Sequence, residues 1–152
     1  MFDYQLVRVE KKIARLFRQG VFRDKKIFLF GVSENSRQII QILRSYQIEP
    51  TNVMDNDRAK QGSYCSRVKV VPIDGVEDPK NARNLYIICS LYWKEMAVQL
   101  RDRGIRRENI LMLYHVESLL EHFRHAVSGK RIYEELLRRY GQVPMFVCPY
   151  TG

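Results

Sequence analysis

Hydrophobic residues along this chain occur in two alternating patterns, short unbroken runs and stripes with helical spacing. Short, mostly apolar runs predict strands over residues 26–30, 53–54, 68–72, 85–89 and 110–113. Stripes with helical period predict helices over residues 3–19, 36–46 and 93–103. Because parallel strands are joined by crossover helices, this alternation predicts an α/β fold, a three-layer sandwich around a mostly parallel sheet.

The segment after residue 113 follows a different pattern. It predicts helices over residues 116–127 and 131–140 and an apolar strand over residues 143–148. We therefore divide the chain into a basic amphipathic helix at 1–25, an α/β domain at 26–113 and a helical tail with a terminal strand at 114–152. The tail either begins a missing downstream domain or ends in a simple edge strand.

Basic residues are concentrated at the N-terminus. The net charge is +9, and the first 27 residues carry eight Lys or Arg against three acidic residues. Such a bias suits an anionic partner, but no zinc-finger spacing, RNP-like strand or recognition-helix pattern accompanies it. We therefore expect no nucleic acid partner and favour a solvated helix face. Contact with a membrane surface is the weaker alternative.

Cysteine and histidine residues indicate no metal site. Cys65, Cys89 and Cys148 are scattered without metal-ligand spacing, and the three histidines lack supporting ligands at metalloenzyme spacing. No signal peptide and no apolar run long enough to span a bilayer are present in the sequence. Reduced thiols and the missing signal predict a cytoplasmic protein.

The most informative pattern is strand, glycine, helix, strand and acid over residues 26–57. Gly31 breaks the first apolar run, a helix opens after it, and Asp55 follows Gly31 by 24 residues. That order is typical of a nucleotide-binding βαβ unit, in which unpaired amides at the helix N-terminus bind phosphate. The full fingerprint has glycine where Ser33 and Ser36 stand. The departure weakens the case for a closely held diphosphate.

Side chains of the first turn have two interpretations. Ser33 and Ser36 cap the helix, donate hydroxyl groups to a phosphate, or do both in turn, and Asn35 lies between them. Glu34 would repel a phosphate unless its carboxylate points to solvent. Ligand binding and capping therefore remain open at this turn.

Further candidates follow the second and fourth strands, at the same edge of the predicted sheet. Asp55 is expected to bind ribose hydroxyls with both carboxylate oxygens, and Asn56 to reach a base or sugar; the alternative is a turn that Asx side chains stabilise. Tyr92 either stacks on a base or anchors the packing of a helix entrance. The predicted ligand-binding set is Gly31, Ser33, Asn35, Ser36, Asp55, Asn56, Ser90 and Tyr92.

Residues 26–113 resemble the Rossmann-like domain at the N-terminus of bacterial sugar acyltransferases, which also stands beside glycosyltransferase or methyltransferase domains of surface-polysaccharide biosynthesis proteins. The resemblance rests on five stretches: Ile27–Gly31, Val53–Asp57 followed by Gly62, Val68–Pro72, Leu85–Ser90 and Leu100–Ile110. It implies that Gly31 is the turn glycine and that Asp55 lies near a nucleotide or nucleotide-sugar. The acyltransferase repeats of that family are absent from this sequence, so the resemblance does not extend to acyl transfer.

Two functions of different kinds fit these observations. The first is a nucleotide- or nucleotide-sugar-binding module of a larger transferase, with no catalysis of its own and with a nucleotide-sugar or an NAD-like dinucleotide as ligand. The second is an interaction domain without a ligand, which contacts a partner through the basic helix or the terminal strand. An oxidoreductase is the weakest alternative, because no Tyr-x-x-x-Lys pair or substrate domain is present. Apolar stripes at both ends of the chain predict a homodimer.

Overall fold

The computed structural model describes residues 2–90 and 92–113, with side chains from Val9 onward. Predicted elements in the tail, including its helices, the strand over 143–148 and Cys148, lie outside the described residues. Within the described residues, three helices and six strands follow one another in this order: α1 Phe2–Arg18, β1 Lys26–Phe30, α2 Glu34–Ser45, β2 Asn52–Met54, β3 Tyr64–Cys65, β4 Val68–Val71, β5 Asn84–Ile88, α3 Trp93–Asp102 and β6 Ile110–Met112. Short 3-10 turns at Ile73–Gly75 and Arg107–Asn109 precede β5 and β6.

The strands form one sheet in the order β3-β4-β2-β1-β5-β6. Strand β1 pairs in parallel with both β2 and β5, and β4 and β6 extend the sheet in the same direction. Among the six described strands, only β3 is antiparallel, paired with β4 at one end of the strand order. The predicted α/β sandwich with a mostly parallel sheet is therefore confirmed. The strand-helix-strand unit from residue 26 to residue 57 is confirmed with it.

Alternate side chains of the central strands enter two separate cores. Ile27 and Leu29 of β1 pack with α1 and α2 on one face, whereas Phe28 and Phe30 pack with α3 on the other. A strand with apolar residues at every position is buried on both faces, which explains the unbroken apolar runs of β1 and β5. Helices α2 and α3 thus cover opposite faces of the sheet.

Helix α1 belongs to the first of these cores. Its Val9 and Ile13 are 3% and 0% exposed, whereas Lys11, Arg15 and Arg18 face solvent. Two residues of the stripe that suggested a helix-centred dimer, Val9 and Ile13, are therefore covered within the chain itself. The homodimer stays a prediction, and light scattering is its test.

The antiparallel strand β3 has no counterpart in the sequence prediction. It pairs over two residues only, with Tyr64 opposite Lys69 and Cys65 opposite Val68. The turn between β3 and β4 places Ser66 and Arg67 at positive φ, 46° and 69°. Hairpin turns of that shape usually carry Asn-Gly, so Ser-Arg gave no turn signal.

Candidate functional site

The crevice of this fold lies at the carboxyl ends of β1 and β5. From β1 the chain continues through α2 to β2 on one side, whereas β5 continues through α3 to β6 on the other. Open α/β sheets bind ligands where the chain continues from neighbouring strands to opposite sides. At such a point the two connecting helices cover opposite faces of the sheet, and a gap opens between their first turns. Gly31, Asp55 and Ser90 follow the three central strands at this edge, as the sequence predicted.

The turn from β1 into α2 is held by its own hydrogen bonds. Gly31 has a φ of +104°, and its amide donates to the Met54 carbonyl at 2.8 Å. Ser33 and Ser36 form a reciprocal capping box: the Ser36 Oγ accepts the Ser33 amide at 2.8 Å, and the Ser33 Oγ accepts the Ser36 amide at 3.3 Å. Both serines therefore cap the helix in this structure.

Two amides of this turn remain available to a ligand. Within the described part of the chain, the Glu34 and Asn35 amides have no acceptor, because they are the first donors of α2 and the capping box satisfies only its own two. The Glu34 side chain is 67% exposed and pairs with Arg37 at 3.6 Å. Its carboxylate thus lies along the helix surface, the geometry required if these amides are to receive an anion.

Asp55 lies at the predicted edge, but its carboxylate is already engaged. Oδ2 accepts the Val32 amide at 2.8 Å and lies 3.9 Å from the Lys60 Nζ. Oδ1 accepts the Asp57 amide, also at 2.8 Å. The side chain is only 12% exposed, so Asp55 fastens the end of β2 to the turn that follows β1.

The other predicted polar side chains also have partners inside the protein. The Asn56 Nδ2 donates to the Gln99 Oε1 of α3 at 2.8 Å, which connects the end of β2 to the helix that follows β5. The Ser90 Oγ accepts the Tyr92 amide at 3.1 Å. The Tyr92 side chain, in contrast, is 76% exposed at the start of α3, where a flat ligand can reach it. Trp93 beside it is 8% exposed and belongs to the core under α3.

Met96 and Gln99 of α3 contribute to the crevice although the sequence analysis did not select them. A Cβ built on Gly31 would lie 3.1 Å from the Met96 Cε and 3.9 Å from the Ser90 Cβ. Met96 therefore lies directly against the open side of the turn glycine. The signal available in the sequence was position alone: a helix that begins at this edge brings its first two turns beside the crevice.

The described residues whose pKa is shifted include no accessible nucleophile at this edge. Burial raises the pKa of the Cys89 thiol, which is fully buried beneath the end of β1, so this sulfur is inert as a nucleophile. Burial also raises the pKa of Tyr86, whose hydroxyl donates to the Pro79 carbonyl. No group of acidic, histidine or cysteine side chains able to hold a metal ion occurs among the described side chains of residues 9–90 and 92–113. None of the helices in that part of the chain is long and apolar enough to cross a membrane.

Comparison with known proteins shows the fold. No protein-family model and no curated protein matches the sequence. Among solved structures, the chain is similar to UDP-D-quinovosamine 4-dehydrogenase from Vibrio fischeri, with a TM-score of 0.50, 17% identity, and coverage of 64% of this chain and 84% of that one. Two structures of RSP also align with this chain. The complex with β-NAD+ and operator DNA has a TM-score of 0.48 and 18% identity, and the alignment covers 78% of this chain and 61% of that one. The complex with β-NADH has a TM-score of 0.49 and 15% identity, and the alignment covers 83% of this chain and 71% of that one. The chain thus has a Rossmann-like fold.

Proposed function

We propose that this chain is a nucleotide- or nucleotide-sugar-binding module of a bacterial surface-polysaccharide biosynthesis protein, without catalysis of its own. The proposal rests mainly on the carboxyl edge of the sheet at Gly31. There the chain continues from β1 and from β5 to opposite sides of the sheet, and the Glu34 and Asn35 amides have no acceptor among the described residues. The resemblance of residues 26–113 to the N-terminal domain of sugar acyltransferases supports the polysaccharide context. The fold match to a protein that acts on a UDP-sugar agrees with the same ligand class.

In this proposal the phosphate of the ligand binds the Glu34 and Asn35 amides. Unpaired donors at the start of a 12-residue helix face the positive end of its dipole, which favours an anion there. The exposed ring of Tyr92 offers a stacking surface for the base on the opposite side of the crevice. The Cys89 thiol at the same edge is fully buried and burial raises its pKa, so it takes no part in the proposed site.

A matched pair of variants at Glu34 tests the phosphate position. Glu34 is the first residue of α2, and Ser33 before it is extended, with φ −159° and ψ 176°. Proline is tolerated at such a position, so Glu34→Pro removes one phosphate-facing N–H without breaking the helix. Glu34→Ala removes the same carboxylate and keeps the N–H.

We expect calorimetry with UDP to show an affinity about tenfold or more lower for Glu34→Pro than for Glu34→Ala, the loss typical of a hydrogen bond to a charged group. Glu34→Ala should bind at least as tightly as the wild-type protein, because it loses a negative charge. Equal affinities in the two variants would place the phosphate elsewhere. A thermal-shift screen in which UDP-sugars, NAD+ and CoA all leave the melting temperature unchanged would reject the nucleotide module.

The alternative, an interaction domain without a ligand, is favoured by one observation of its own. Ser33, Ser36, Asp55, Asn56 and Ser90 each form a hydrogen bond within the chain at the edge where a ligand would lie. Polar side chains that satisfy one another at this edge do not need a ligand. In that case the exposed basic face of α1 is the surface expected to contact a partner.

A further inference from the structure

We infer that Asp55 is a positioning residue for the phosphate end of the crevice and that it does not bind the ribose of the nucleotide. The inference rests on the proposed nucleotide-binding function and specifies what one residue does in it. It departs from the expectation raised by the sequence, in which the acid after β2 holds the ribose hydroxyls with both oxygens. The difference changes which part of the ligand the site recognises.

The Asp55 carboxylate can accept only a limited number of hydrogen bonds. Two carboxylate oxygens offer about four acceptor positions. Oδ2 receives the Val32 amide at 2.8 Å and faces the Lys60 Nζ at 3.9 Å, and Oδ1 receives the Asp57 amide at 2.8 Å. Each oxygen therefore already accepts one backbone amide, and a bidentate ribose contact would have to use the remaining position on both, beside the Lys60 ammonium that pairs with Oδ2. The 12% exposure of the side chain leaves little room for two sugar hydroxyls.

The hydrogen bond between the Asp55 carboxylate and the Val32 amide acts on the start of α2. Val32 lies between Gly31 and the N-cap Ser33, so its amide direction sets how α2 leaves the sheet. With Val32 held by Asp55, and the Ser33 and Ser36 amides held by the capping box, the amides left for a phosphate are those of Glu34 and Asn35. Asp55 therefore acts on the phosphate through the backbone.

The neighbouring side chain, Asn56, also has a partner within the chain. Asn56 follows Asp55 and is the other polar candidate at the end of β2, but its amide nitrogen donates to Gln99. The Asn56 amide nitrogen and both Asp55 oxygens are thus already engaged within the chain. The site is consequently expected to tolerate loss of a ribose hydroxyl, although it requires the phosphate.

The test compares UDP with 2′-deoxy-UDP and 3′-deoxy-UDP by calorimetry on the whole chain. The wild-type protein should bind the three within about twofold of one another, because an unmade contact costs nothing when it is lost. A preference of about tenfold or more for UDP, which Asp55→Ala abolishes, would overturn the inference and leave the nucleotide module intact. Failure of all three to bind would overturn the nucleotide module for this ligand class and the inference with it.

Variants separate the positioning role from a role in stability alone. Asp55→Ala should weaken all three ligands by the same factor, about fivefold or more, and should remove the exchange protection of the Val32 amide in NMR. Asp55→Asn keeps an acceptor for Val32 and is expected to retain most of the affinity, which covers the case in which Asp55→Ala folds poorly. The matched control is Asp57→Ala, an exposed acid whose bond to the Ala59 amide lies within its own turn. It should change neither affinity nor Val32 protection, and an Asp55→Ala protein with unchanged Val32 protection would also overturn the inference.

Discussion

Replacing Gly31 with alanine tests the closest packing at the carboxyl edge of the sheet. Two effects add at this position. Gly31 has a φ of +104°, a conformation in which a side chain is strained by about 1–2 kcal/mol. The new Cβ would also lie 3.1 Å from the Met96 Cε, inside the separation of about 3.5–4.0 Å that carbon atoms prefer.

The size of the contact effect depends on how easily Met96 moves. Methionine is flexible, and this one is only partly buried, so it can shift by a few tenths of an ångström at a cost of about 1–2 kcal/mol, the lower part of the range for overpacking. The sum gives an expected loss of about 2–4 kcal/mol in the free energy of unfolding for Gly31→Ala. A typical domain survives such a loss, so the variant should still fold.

Gly62→Ala is the matched control for backbone strain. Gly62 has a φ of +82°, and a Cβ built there meets nothing within 4 Å. The control should therefore lose only the conformational part, about 1–2 kcal/mol. Trp93, the single tryptophan of the chain, is the first residue of α3; its side chain is buried in the core and gives a fluorescence signal for urea unfolding.

The contact with Met96 is isolated by a double-mutant cycle. In Gly31→Ala with Met96→Ala the shortened side chain leaves room for the new Cβ, so the two losses should combine to about 1 kcal/mol less than their sum. Equal losses for the Gly31 and Gly62 variants, together with strict additivity in the cycle, would refute the packing of α3 against the turn glycine.

Three further predictions concern stability and reactivity. Ser36→Ala should lower the free energy of unfolding by about 1–2 kcal/mol in urea, because the buried Ser36 hydroxyl closes the capping box, whereas Ser45→Ala on the exposed end of α2 should lose less. Burial raises the pKa of Tyr86 in the folded protein above its value in the unfolded chain. The contribution of Tyr86 to stability is therefore complete below about pH 10 and is lost as the pH rises through the folded pKa. The melting temperature of the wild-type protein should fall more steeply above about pH 10 than that of Tyr86→Phe. Cys89 should resist iodoacetamide in the native state and react only in urea, which peptide mass spectrometry measures, and labelling of the native protein would contradict its complete burial.

The sequence predicted the central part of the fold because that part is governed by burial. A residue run such as Lys26–Phe30, apolar at all but its first position, has few alternatives to a strand covered on both faces. Gly31 could be placed at the turn for the same kind of reason, since the apolar run stops there and a helical stripe begins. Burial patterns extend over many residues and are therefore robust.

The candidate site was predicted less completely because its interactions are local in space and distant in sequence. The Asn56–Gln99 hydrogen bond joins residues 43 positions apart, and the Asp55–Val32 bond joins residues 23 apart. No periodicity records such pairs. Position at the carboxyl edge could be predicted for Asp55, but the acceptor capacity left to it depends on where three other groups lie.

The same internal bonds decide what a ligand would gain at this edge. A sugar hydroxyl that replaced the Asn56–Gln99 bond would exchange one neutral hydrogen bond for another, with little net free energy. A phosphate at the Glu34 and Asn35 amides would instead replace water by a charged acceptor, and charged hydrogen bonds are about twice as strong as neutral ones. Affinity at this crevice must then come from the phosphate charge and from the exposed ring of Tyr92. Because a fold of this type hosts many functions, these few groups, rather than the sheet that carries them, determine whether the crevice binds a nucleotide.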